Sequence, residues 1–213
     1  MDVAEGKYYM SATQFEEVGT TGGIAIKDLV KGKIPYGAQM QILGNDGIYA
    51  IYNYIEEAYD EESDDFYPGW ADSDDYLAVR KLPSGTAFWF KAPANCNVTI
   101  AGMILDDASK QIDVAGGKFS MIASPYPVGV NLNTLTWTGL TYGDQIQVMG
   151  SDGIYSIYNY IEEAYDETAD DFYPGWADSD DYLVVSDVIP VANGAWIKPT
   201  AALTIEFNSP ITK

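Results

Sequence analysis

An internal duplication constrains the fold of this chain more than any other feature of its sequence. The 44 residues from Tyr36 to Val79 align without a gap with the stretch from Tyr142 to Val185, and 35 positions are identical. Within this stretch the segment DDFYPGWADSDDYL, which starts at Asp64, recurs unchanged from Asp170. A repeat of this length predicts two copies of one folding unit in the chain.

Weaker similarity on both sides locates the boundary between the copies. The sequence DVAEGKYYMSA from Asp2 matches DVAGGKFSMIA from Asp113, and AFWFKAP from Ala87 matches GAWIKPT from Gly194. The polar stretch DDASKQ therefore separates the copies, and we predict two domains, residues 1–107 and 108–213. Each has about a hundred residues, an ordinary domain size. Two copies are too few for a solenoid that needs stacked repeats to fold.

Short β-rich runs separated by turn residues fill both copies. The runs Met40–Leu43 and Ile48–Ile55 flank the sequence Gly-Asn-Asp-Gly, and an Asp-Gly pair between two such runs is typical of a β-hairpin. The stretch EEAYDEE that follows leaves one short helical turn open. No glycine-rich nucleotide-binding motif is present. The sequence predicts an all-β protein with two tandem β-sandwich or small-barrel domains related by internal duplication.

The charge and the residue inventory exclude several classes of function. The chain carries 32 Asp and Glu against 11 Lys and Arg, a formal net charge of -21, which repels nucleic acids and anionic membranes. With no histidine, the chain cannot form a Ser-His-Asp site or a histidine zinc site. Cys96 is the only cysteine, so no disulfide forms within the chain, and we expect it in or near a strand. No apolar run has the length of a membrane helix.

Two acidic segments, one in each copy, hold 19 of the 32 carboxylates and no Lys or Arg. Calcium takes six to eight oxygen ligands, often from one loop. The candidate calcium ligands are Asp64, Asp65, Asp72, Asp74, Asp75, Asp170, Asp171, Asp178, Asp180 and Asp181. The spacing does not match an EF-hand, because position twelve counted from Asp72 is Pro83. A solvated acidic loop without metal is the alternative interpretation.

Aromatic residues lie inside the same acidic segments. The candidate ligand or interface residues are Tyr67, Trp70, Tyr173 and Trp176. Exposed rings beside carboxylates could stack on a sugar, or they could anchor a protein interface, since Trp and Tyr are enriched in binding hot spots. They could also simply cap the core of each copy. A nearly unchanged pair of sites fits avidity or assembly better than catalysis, so we predict that the protein is not an enzyme.

Several phrases resemble a loosely defined group of bacterial secreted repeat proteins. These phrases are GKFSMIASPYPVGVNLNTLTWTGLTYGDQIQVM from Gly117 and AFWFKAP from Ala87. Units of that group start with a sequence like NLIANPFP, contain GDQIQV and end with FW followed by Leu or Phe and Lys. The first copy departs from the pattern, with Ala12-Thr13-Gln14-Phe15 at the start. The resemblance implies an extracellular location and β architecture, and it implies no site residues.

These observations lead to two functional hypotheses from different classes. The first is a structural subunit of an extracellular assembly, such as a filament, sheath or surface layer, in which other copies of the chain are the partners and calcium reduces repulsion between the acidic segments. The alternative is a calcium-assisted carbohydrate-binding or adhesion module with glycans as partners. Neither hypothesis includes nucleic-acid binding or membrane insertion.

Overall fold

A computed structural model describes residues 1–17, 22–150, 153–179, 183–185, 188–191 and 193–210. The first half contains β1 (Asp2–Val3), β2 (Tyr8–Ala12), β3 (Ile24–Ala25), the helical turn α1 (Ile26–Leu29), β4 (Val30–Gly32), β5 (Gln39–Leu43), β6 (Tyr49–Asp60), β7 (Asp65–Ala71), β8 (Lys81–Leu82), β9 (Ala87–Lys91) and β10 (Cys96–Ile100). The second half contains β11 (Ser109–Val114), β12 (Ser120–Ala123), β13 (Val130–Asn131), a 3₁₀ turn (Leu132–Thr134), β14 (Thr136–Thr138), β15 (Gln145–Met149), β16 (Tyr155–Asp166), β17 (Asp171–Asp178), β18 (Val188–Ile189), β19 (Gly194–Lys198) and β20 (Leu203–Asn208). The predicted all-β class is confirmed.

The two halves have the same sheet topology. In the first half a five-stranded sheet has the order β2-β9-β5-β6-β7, a three-stranded sheet has the order β1-β10-β4, and β3 pairs with β8. The second half repeats this arrangement: its five-stranded sheet has the order β12-β19-β15-β16-β17, its three-stranded sheet has the order β11-β20-β14, and β13 pairs with β18. All of these pairings are antiparallel. The division at residue 107 into domains that fold independently stays a prediction.

Each half has its own hydrophobic core, between its five-stranded and three-stranded sheets. Strand β5 shows the alternation of a half-buried strand: Met40 and Ile42 are buried, whereas Gln39 and Gln41 are more exposed on the opposite face. The first core contains Val3, Val30 and Val98 from the small sheet and Met40, Tyr52, Trp70, Phe88 and Phe90 from the large one. The second core contains the matching set Val114, Ile146, Tyr158, Trp176, Ala195, Ile197 and Ile205. Each half is therefore sandwich-like.

The hairpin between β5 and β6 forms where the Asp-Gly pair predicts it. Gly47 has φ 84°, and the amide of Gly44 donates a hydrogen bond of 2.8 Å to the carbonyl of Ile48. The helical turn left open for EEAYDEE does not form, because β6 continues to Asp60 and pairs with β7 there. Cys96 begins strand β10, and burial raises the pKa of its thiol.

The outer faces of the two five-stranded sheets meet where β2 and β9 of one half approach β12 and β19 of the other. Ala12, Ala87 and Ala123 form a small buried cluster at this contact. The amide nitrogen of Ala123 donates to the carbonyl of Gly85 at 3.1 Å, so the backbones also touch. Farther out, the rings of Trp89 and Trp196 lie 6.5 Å apart between their centroids.

Equivalent positions of the two halves contact each other at this interface. Ala12 and Ala123 are equivalent in the repeat, and so are Trp89 and Trp196. Residues that meet their own counterparts are the signature of a two-fold contact, in which one patch is complementary to itself. The halves therefore pack as an approximate two-fold pair inside one chain, and this contact is closed.

Candidate functional site

Each acidic segment forms part of a β-hairpin that extends beyond strand β5 or its counterpart. Strand β5 pairs with β6 only as far as Asn53, whereas β7 pairs with β6 from Asn53 to Asp60. The register shifts between Ile55 and Ala58, which marks a bulge that bends and twists the hairpin. We name residues 54–67 the first arm and residues 160–173, where β16 and β17 repeat this pairing, the second arm. Both arms end the strand order at the side remote from the interface between the halves.

Carboxylates shape the turn at the tip of each arm. Asp64 has φ 56°, in the left-handed region that Asp tolerates better than most residues. Its amide donates to the carbonyl of Asp60 at 2.9 Å, and its Oδ1 accepts a hydrogen bond of 2.7 Å from the Tyr59 hydroxyl. The second arm repeats this arrangement with Asp170 at φ 52° and the Tyr165 hydroxyl at 2.7 Å.

The same hydrogen bonds perturb the titration of the arm tyrosines. The bond to the Asp64 carboxylate raises the pKa of Tyr59, because the hydroxyl would lose its acceptor partner on deprotonation. In the second arm the hydroxyl of Tyr173 donates to Asp166 at 2.5 Å, which raises the pKa of Tyr173. The pKa of Asp166 is lowered, first by this bond and then by the amides of Thr168 and Ala169.

The predicted calcium ligands are used mostly in local turns. Asp65 and Asp171 each accept from the amide of the next residue at 2.8 Å. Asp72 accepts from the amides of Asp74 at 3.0 Å and of Tyr76 at 3.1 Å. Asp74 and Asp75 are exposed, Asp178 is half-buried at the end of β17, and Asp180 and Asp181 lie outside the described residues. Among the residues that the structure describes, no three carboxylate or thiol groups converge as a metal site would require.

The four predicted aromatic residues divide into two groups. Trp70 and Trp176 are 1% exposed and belong to the two cores, so neither ring is available as a platform for a ligand. Among the residues that the structure describes, neither indole nitrogen has a hydrogen-bond partner. Tyr67 and Tyr173, by contrast, are 42% and 38% exposed on the arms.

Two further rings of the arms are more exposed than the tyrosines and were not among the predicted residues. Phe66 is 59% exposed and Phe172 is 60% exposed. Each packs one side on the arm tyrosine across the hairpin, with centroids 5.2 Å apart for Tyr59 and Phe66. Strand β7 shows no buried–exposed alternation from Asp65 to Pro68, so alternation gives no sequence signal that separates Phe66 from Tyr67.

The segment after each arm pairs differently in the two halves, although its first residues are identical in sequence. The amide of Ala78 donates to the carbonyl of Trp70 at 2.8 Å, whereas the amide of Val185, one position later in the repeat, donates to Trp176 at 2.9 Å. A one-residue shift exchanges the faces of a strand. As a result Val79 is 63% exposed while its counterpart Val185 is buried.

Comparison of the chain with protein-family models, with curated proteins and with solved structures finds no match. Within the part of the chain that the structure describes, no helix is long and apolar enough to cross a membrane.

Proposed function

We propose that the protein is a non-catalytic structural subunit of an extracellular assembly and that it associates with other copies of itself. The observation that supports this most directly is the presence of two matched arms. Each exposes a phenylalanine and a tyrosine at the sheet edge remote from the contact between the halves. Exposed aromatic rings are the residues most often used as interface anchors. A molecule that carries such an element can dock on a neighbouring copy.

Side chains, more than backbone pairing, would make these contacts. Pro68 and Pro174 lie in the outermost strands β7 and β17. Proline has no amide hydrogen, and its presence in an edge strand disfavours the addition of another strand. The arms therefore suit docking of rings and carboxylates into a complementary surface, and an endless sheet is not required.

Light scattering after size-exclusion chromatography, followed by negative-stain microscopy over a wide concentration range, tests this proposal. We expect oligomers or polymers that grow with concentration. The variant Phe66→Ser, Tyr67→Ser, Phe172→Ser and Tyr173→Ser should abolish them. The matched control Ile48→Ser with Ile154→Ser changes two residues that are 68% and 69% exposed elsewhere, and it should assemble normally. A chain that stays monomeric at every concentration would refute the proposal.

Calcium belongs to this proposal as a bridge between molecules. Because the described carboxylates do not converge within one arm, a cation would act between acidic arms of different copies. Assembly should then strengthen with calcium and weaken with a chelator. Equal assembly in both conditions would remove calcium from the proposal and leave self-association in place.

A carbohydrate-binding role is the second candidate, and one observation favours it. Trp89 and Trp196 are partly exposed, and Gln41 and Gln147 occupy the strand positions paired with them. Rings and amides together suit a sugar, although these are not the rings that the sequence predicted. A glycan array with the intact chain, and with Trp89→Ala and Trp196→Ala, tests this role, and the absence of any bound glycan would exclude it from further consideration.

A further inference from the structure

The positive charges of the chain are concentrated on one part of the first half. Five of the eleven Lys and Arg residues are Lys27, Lys31, Lys33, Arg80 and Lys81, which we name the basic patch. The fold joins the two segments that carry them. The amide of Ile26 donates to the carbonyl of Arg80 at 3.0 Å, and Ala25 of β3 pairs with Lys81 of β8.

Most of this positive charge is available to a partner. Lys31 forms a salt bridge with Asp28 at 2.9 Å and Lys81 forms one with Glu17 at 2.8 Å, both between exposed side chains. Such surface pairs contribute about 0–1 kcal/mol, so a partner can displace them. For Lys27, Lys33 and Arg80, no carboxylate of the described residues lies within 4.0 Å of the charged nitrogens.

The repeat does not preserve the basic patch. The segments of the second half that correspond to it, residues 131–141 and 184–189, contain no Lys or Arg. The acidic arms, in contrast, occur in both halves almost unchanged. One molecule therefore presents two acidic arms and a single basic patch, which breaks its approximate two-fold symmetry in charge.

We infer that the basic patch binds the second arm of another copy of this chain. This inference rests on the proposed self-association and identifies its contact. The carboxylates Glu162, Glu163 and Glu167 are exposed on the second arm and complement the free cations. Phe172 is exposed beside them, and Val79 is exposed beside Arg80, so an apolar and a cation–π contact accompany the charges.

The choice of the second arm follows from the position of the patch relative to the two arms. The amide of Leu77 donates to the carbonyl of Tyr59 in the first arm at 2.8 Å, and Arg80 of the patch follows three residues later, so the first arm and the patch are neighbours in one half. A first arm docked on the patch of another copy would bring the remaining arm and patch of the two copies close together, and such a pair could close as a two-fold dimer. The second arm belongs to the other half, so its docking leaves a free patch and a free arm at the two ends of every complex. Contacts of this heterologous kind propagate into chains.

Charge reversal in the full-length chain tests this inference. The variant Lys27→Glu, Lys33→Glu and Arg80→Glu should raise the concentration needed for assembly by about tenfold or more, because like charges then face each other. The control Lys7→Glu, Lys110→Glu and Lys198→Glu makes the same change in net charge outside the patch and should assemble as the unaltered chain does. Circular dichroism of each variant verifies the fold.

Reversal on the arms distinguishes the two possible contacts. Glu162→Lys, Glu163→Lys and Glu167→Lys in the second arm should block assembly, whereas Glu56→Lys, Glu57→Lys and Glu61→Lys in the first arm should not. A mixture of the patch-reversed and second-arm-reversed chains should assemble again, since each then offers the complement of the other.

The outcomes of these experiments distinguish failure of the basic-patch contact from failure of the proposed self-association. An unaltered chain that never associates overturns the proposed function itself. An unaltered chain that associates, together with a patch-reversed chain that associates equally well, overturns the basic patch as the contact. Loss of assembly with the first arm reversed but not the second overturns the choice of arm.

Discussion

The substitution Gly194→Ala should loosen the contact between the halves, and the structure gives the reason. Gly194 begins strand β19 and faces Ala87 of strand β9 across the interface. A Cβ atom at position 194 would lie 2.5 Å from the Cβ of Ala87 and 2.9 Å from the Sδ of Met10. The Met10 side chain can move, but Ala87 moves only with its strand. Overpacking of this kind costs about 1–3 kcal/mol.

Urea denaturation with a fluorescence readout measures this cost. The control is Gly175→Ala in strand β17, where the new Cβ would lie 3.4 Å from Asn133 Oδ1 and 3.8 Å from the Cβ of Ala164, an ordinary contact. The control accounts for the effect of Gly→Ala on the unfolded chain, which is about 0.4–1 kcal/mol of stabilisation.

A second substitution at the same contact tests whether the collision with Ala87 causes the loss of stability. Ala87→Gly removes the atom with which the new Cβ collides, so the double variant should recover about 1 kcal/mol or more relative to additivity. If Gly194→Ala is as stable as Gly175→Ala, or if Ala87→Gly gives no recovery, the halves do not pack through this pair. An additional transition in the Gly194→Ala curve would indicate that the halves unfold separately once their contact is weakened.

Three other predictions concern buried and titrating groups. Trp70→Phe should change the free energy of unfolding by only about 1 kcal/mol in urea denaturation, because the cost of the small cavity is offset by removal of an indole N–H that has no partner among the described residues. Trp70→Ala should cost about 3–5 kcal/mol. Asp144→Asn should cost about 2–3 kcal/mol by the same assay. The fully buried Asp144 carboxylate accepts from the backbone N–H groups of Thr141 at 2.9 Å and Thr200 at 2.7 Å, one at each oxygen, and the side chain of Asn has only one oxygen that can accept. Asp64→Asn should lower the pKa of Tyr59 in NMR titration of labelled tyrosine rings. Because the pKa of Tyr59 is raised in the folded state, its contribution to stability is present below the ordinary value of 10.0 and is lost as the pH rises through the folded-state pKa.

The repeat and the turn residues allowed much of the fold to be predicted. The Asp-Gly pair predicted the hairpin between β5 and β6, and the alternation in Met40–Leu43 predicted a half-buried strand. The long β6 strand was predicted only in part, because Glu56 and Glu57 favour a helix locally while pairing with β7 holds the chain extended. Tertiary contacts of this kind cannot be read from local propensity.

The candidate site was harder to predict than the fold, for two physical reasons. Carboxylates close in sequence need not converge in space, and Asp64, Asp65 and Asp72 instead accept hydrogen bonds within their own turns. Identical sequence also does not ensure identical pairing: Val79 and Val185 follow the same segment, yet a one-residue shift leaves the first exposed and the second buried.

The closed contact between the halves limits how an assembly of this protein can grow. A two-fold interface uses the same patch on both partners, and here each patch is already covered by the other half of the chain. Growth must therefore use surfaces outside that interface. At a net charge of -21, contacts between two acidic arms are repulsive, and at about 0.15 M salt the screening length of about 8 Å confines attraction to groups in direct contact. The basic patch is a cluster of positive charges that has no counterpart in the second half. An open assembly without added cations therefore depends on this difference in charge between the two halves and not on the arms that they share.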